Sequence, residues 1–64
     1  MKTLNELIVH LNKKNISNKL VNNQVLINRK DYNFCLINEI SKEKSKIDSF
    51  YLDSTMIFYI NTNL

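Results

Sequence analysis

The 64-residue chain holds one histidine, His10, and one cysteine, Cys35, and these two set the limit on catalysis. A histidine acting as general base needs a nucleophile to activate and an acid to orient it. Glu6 stands four residues before His10 and could hydrogen-bond it, but nothing nearby in sequence completes a triad. A local helix pair is the plainer reading. Cys35 lies between Phe34 and Leu36, and apolar surroundings disfavour the thiolate, so an inert packing role is expected. One Cys and one His cannot make up a zinc set. The acids Glu6, Asp31, Glu39, Glu43, Asp48 and Asp53 lack the spacing of a calcium loop, and a chain without glycine has no phosphate-cradling loop. The expectation is a non-enzymatic protein with no catalytic residues, no metal and no cofactor.

Charge is the uneven property. Nine basic and six acidic residues give a formal charge of +3, yet every Lys and Arg precedes Ile47, while Asp48 and Asp53 follow with no base after them. Three clusters could share one basic face: Lys13, Lys14 and Lys19; Arg29 and Lys30 with Tyr32; and Lys42, Lys44 and Lys46. Cations around an aromatic ring are what a surface needs to follow phosphates and stack bases. The competing account is a set of solvated turns in a lysine-rich chain. Arg29 is the single arginine, which weighs against forked recognition of phosphate or base edges. The candidate binding residues are Lys13, Lys14, Lys19, Arg29, Lys30 and Tyr32.

Positioning these residues requires a scaffold, and residues 24–40 are expected at its centre. Val25-Leu26-Ile27 and Phe34-Cys35-Leu36-Ile37 are apolar runs of the kind that form strands. With Arg29 to Asn33 between them they read as a hairpin, its third strand running from about Tyr32 to Ile40. Apolar residues fall on both parities of each run, so both sheet faces should be covered. Ahead of this, Leu4, Leu7, Ile8 and Leu11 follow helical spacing over residues 3–15. Thr3 with Glu6 forms a capping box, Lys13 and Lys14 complement the dipole, and Asn15 suits a left-handed ending with Ile16 folded back on Leu11.

Asn22-Asn23 tolerates the paired positive φ of a type I′ turn, giving two strands around it; one long strand with a bulge is the alternative. After an exposed loop, Ser41 to Lys46, residues 47–61 mix helical spacing with β-branched and aromatic content. Strands are favoured there. Asp53-Ser54-Thr55 would turn a last hairpin and let Tyr51 meet Tyr59 across it. The architecture expected is α+β: a single domain over residues 1–64, one N-terminal helix packed on an antiparallel sheet of three to five strands.

Gly, Pro, Ala and Trp are absent while Asn, Lys and Ile abound, as in an AT-rich gene of a low-GC bacterium or its phage. Positive φ must then fall to Asn, Asp or Ser. A lone cysteine in an apolar run suits a reducing cytosol. The N-terminal apolar patch, broken by Glu6, His10 and Asn12, is not expected to be a signal peptide, and no uncharged stretch approaches the roughly 20 residues of a membrane span. Domains of this size bury only about 60% of the surface that the unfolded chain exposes. A homodimer or a partner-bound protein is therefore expected, with the second sheet face covered in the dimer.

Asn5-Glu6-Leu7-Ile8, followed by Lys13-Lys14-Asn15 and Lys19-Leu20-Val21, resembles the opening of small phage anti-CRISPR proteins in which one helix leads into a three-stranded antiparallel sheet. The resemblance covers the first third of the chain. It implies a phage or mobile-element inhibitor that binds a host protein or ribonucleoprotein complex in the host cytoplasm and blocks its surface. Well-known members are acidic DNA mimics, and this chain is basic. The resemblance thus points to guide RNA, an acidic protein surface or a subunit interface as target. The alternative is a small basic nucleic-acid-binding protein or regulator.

Overall fold

A computed structural model describes residues 3–33, 38 and 46–62. Helix α1, Leu4–Lys13, is followed by strands β1, Lys19–Val21, and β2, Gln24–Asn28. A 3-10 turn over Arg29–Asp31 closes β2, and strands β3, Ile47–Leu52, and β4, Thr55–Ile60, complete the order. The four strands form one antiparallel sheet in the order β1-β2-β4-β3, with α1 on one face. The α+β architecture expected from the sequence is what the chain adopts.

Both helix ends follow from their residues. Thr3 is extended (φ −131°, ψ 158°) and its Oγ1 accepts a hydrogen bond from the Glu6 amide at 3.1 Å. At the other end Asn15 is left-handed (φ 59°), its amide donates to the Asn12 carbonyl at 3.1 Å, and the Ile16 amide donates to the Leu11 carbonyl at 2.9 Å. These are the two bonds of a Schellman ending. Thr3→Ala should lower stability by about 1 kcal/mol, read as a lower urea midpoint with an unchanged slope.

The turns use asparagine and aspartate where other chains use glycine. Asn22 and Asn23 both have positive φ, 49° and 59°, in the two-residue link between β1 and β2. The paired sign is that of a type I′ hairpin, which removes the single-bulged-strand alternative. Asp53 (φ 55°) and Ser54 link β3 to β4, and Thr55 already belongs to β4, opposite Leu52.

Two expectations need correction. The central hairpin does not form as drawn from the sequence. Among the described residues β2 pairs with β1 on one side and β4 on the other, and Arg29–Asp31 is helical turn rather than hairpin tip. Tyr32 and Asn33 are not in a strand and Asn38 is helical; the rest of the expected third strand, together with Cys35, Lys42 and Lys44, lies outside the described residues. Nor does Tyr51 meet Tyr59. The two-residue link sets odd-numbered residues of one strand opposite even-numbered residues of the other, so two odd positions lie on opposite faces. Tyr51 is level with Met56, and Tyr59 packs edge-on against Phe50 instead, with centroids 5.8 Å apart at 61°.

The core lies between helix and sheet. Leu7 and Leu11 from α1 bury themselves against Val25, Ile27, Ile47, Met56 and Phe58. Leu4, Ile8, Ile16, Tyr32 and Ile60 are packed around them, half-buried. The even positions of β2 and the odd positions of β4 point away from the helix, which is why Leu26 and Ile57 fall on the other face.

Candidate binding surface

Strand directions gather most of the described cations at one end of the molecule. β1 begins, β2 ends and the β3–β4 link turns at the same end, because each neighbouring pair is antiparallel. The Asn18 side-chain amide donates to Asn12 Oδ1 at 2.9 Å and to the Ile16 carbonyl at 2.9 Å, tying the end of α1 to the start of β1. Lys13, at the last helical position, Lys14, the cap, and Lys19, at the head of β1, therefore come towards the end that carries Arg29 and Lys30. Among the described residues Asp31 and Asp53 are the acids there. Lys46 precedes β3 at the opposite end, where its carbonyl accepts from the Asn61 amide at 2.7 Å. The first two sequence clusters thus lie towards the same end, and Lys46 is separated from them. Lys19 is on the sheet face away from α1 and Arg29 on the face it shares with Tyr51.

Arg29 and Lys30 are held by the backbone around them. Asn28 caps the 3-10 turn, its Oδ1 accepting from the Lys30 amide at 3.1 Å, and the Arg29 amide donates to the Ser54 carbonyl at 2.8 Å. That last bond spans from the end of β2 to the β3–β4 link. An open depression of about 610 Å³ lies between, lined by Asn28, Arg29, Lys30, Tyr32, Asp53 and Ser54.

The aromatic beside these cations differs from the one the sequence suggests. Tyr32 is half-buried, its ring edge-on to Phe58 at 5.7 Å and 63°, with its hydroxyl 3.5 Å from Ser49 Oγ. It is a wall of the depression and a pillar of the core. Tyr51 is the accessible ring. It is 60% exposed, and the Arg29 guanidinium lies over its face 4.2 Å from the centroid. Such a cation–π contact at the surface contributes about 0.5–1 kcal/mol. The sequence signal for Tyr51 was its place just before the Asp53-Ser54 link, but its approach to Arg29 depends on β2 pairing with β4.

Among the described residues no three His, Cys, Asp or Glu side chains group in a way that could hold a metal ion. His10 is half-buried on α1. No described helix is long and apolar enough to cross a membrane. Compared with protein-family models, curated proteins and solved structures, the chain matches none.

Proposed function

We propose that the protein is a non-enzymatic inhibitor, encoded by a phage or other mobile element, that works in the host cytoplasm by covering an anionic surface of a defence complex. One observation carries this reading: Lys13, Lys14, Arg29 and Lys30 lie towards one end, with the Arg29 guanidinium over the exposed Tyr51. Opposed potentials steer encounter and favour anionic partners. An acidic protein surface or the RNA of a ribonucleoprotein would meet that end. The assignment to a defence complex rests on the N-terminal resemblance.

The Arg29–Tyr51 stack also favours a second reading, a small nucleic-acid-binding protein. A guanidinium lying over a ring, beside Lys30, offers a phosphate contact and a flat group on which a base can stack. Two experiments run together separate the readings. Tagged protein is used to capture partners from a host lysate for mass spectrometry, and the purified chain is titrated with random DNA and RNA over a salt series. The inhibitor reading expects a captured defence complex and weak affinity for random nucleic acid. Tight binding to random sequence that falls steeply with salt would transfer the function to the second reading. Absence of both would remove the cationic end as a working surface.

A further inference from the structure

The sheet face turned away from α1 has no second layer among the described residues. Phe50 and Val21 are each 44% exposed on it, and Leu52 is 64% exposed. At its centre Leu26 and Ile57 are cross-strand partners, Ile57 buried and Leu26 half-buried. The chain leaving β2 turns to the opposite side, where Tyr32 packs on Phe58 and reaches Ser49. A sheet face that carries apolar side chains is buried against another element.

We propose that this face is the contact between two copies of the chain, packed sheet on sheet about a twofold axis running close to the strand direction. Charge decides in favour of a second copy. Two of the strand residues on this face are charged, and they have opposite signs: Lys19 on β1 and Asp48 on β3. In the order β1-β2-β4-β3 such an axis lays β1 of each copy over β3 of the other, and β2 over β4. Leu26 then meets the partner's Ile57, twice, at the centre. Lys19 shares a row with Leu26, Ile57 and Phe50, and Asp48 is two residues further along β3. That offset is about 7 Å, which the usual tilt of about 30° between packed sheets and a lysine's flexible stem can close. The Asp48 carboxylate is already fixed, its Oδ2 accepting from Asn61 Nδ2 at 2.6 Å. Two identical ion pairs thus flank an apolar centre, as a self-complementary interface requires.

The face is small. Four strands at the usual spacings span on the order of 300 Å², well below the roughly 800 Å² per partner of a standard stable interface. Reversible, concentration-dependent association is therefore expected. The test is sedimentation equilibrium of the full chain over a wide concentration range. The wild type should rise from the monomer mass of 7.6 kDa towards twice that value. Lys19→Glu and Asp48→Lys should each weaken association about fivefold or more, while the double variant, with both signs exchanged, should return to near the wild-type constant. Phe50→Lys should remain monomeric with an unchanged circular-dichroism spectrum; if it fails to fold, the exposed charge pair decides alone.

A chain monomeric at every concentration would overturn the proposal. So would a dimer indifferent to these changes, a double variant without recovery, or a monomer that uses this face to bind lipid vesicles or another protein. Reversing Arg29 and Lys30 should leave the dimer intact, which keeps this test separate from that of the cationic end.

Discussion

Phe58→Ala is expected to leave most of the chain unfolded at 25 °C. Phe58 is fully buried on β4, an inner strand, with Val25 and Ser49 as its cross-strand partners and Tyr32 edge-on against its ring. Truncating a buried Phe to Ala removes about 3–5 kcal/mol, the lost burial and the cavity together. A core in a domain this small rarely supplies more than about 3–5 kcal/mol in all. The loss is as large as the reserve. Circular dichroism should show the ordered signal collapsing, and Phe58→Leu, which keeps most of the volume, should retain a cooperative urea transition at a lower midpoint. A Phe58→Ala chain that unfolds near the wild-type midpoint would show that the layer between helix and sheet is not what holds the fold.

The second large effect is expected from exchanging Arg29 and Lys30 together for Glu. The change lowers the net charge by four, from +3 to −1, and puts negative charge where Arg29 now covers Tyr51. Affinity for a polyanion such as heparin or RNA should fall by well over tenfold at low salt. With single-stranded RNA its dependence on salt should also weaken by about 1.4 in the logarithmic slope, since each lost contact removes roughly 0.7. Arg29→Lys is the finer probe. It keeps the charge and loses the flat stack, so a partner that relies on the planar guanidinium separates from one that needs only a cation. Unaltered binding by the double reversal would dismiss this end of the molecule as the docking surface.

Local rules made much of the fold readable from sequence. The helix and both of its ends follow from Thr3, Glu6 and Asn15, because capping depends on residues within one turn. The Asn22-Asn23 and Asp53-Ser54 links follow from the need for positive φ in a chain without glycine. What could not be read was long-range pairing. β2 looks equally ready to pair with any apolar strand, and its choice of β4 rests on buried packing by Ile27, Val25, Met56 and Phe58. The same limit governed the candidate surface. Lys13, Lys14, Arg29 and Lys30 are visible in sequence as cations, but Tyr51 joins them only because β2 and the β3–β4 link end side by side, fastened by the bond from the Arg29 amide to the Ser54 carbonyl.

The strand order has a kinetic consequence. β1 with β2, and β3 with β4, are neighbours joined by two-residue links, and units of that kind zip up in about 1–10 μs. The β2–β4 seam must instead bring Asn28 to Thr55 across a long intervening stretch, and the entropy of closing that loop is lost before any native contact rewards it. The rate-limiting event in folding is accordingly expected to be the closing of the β2–β4 seam along Val25 to Asn28. Mutations at that seam should slow refolding, whereas changes confined to the outer strands should chiefly hasten unfolding.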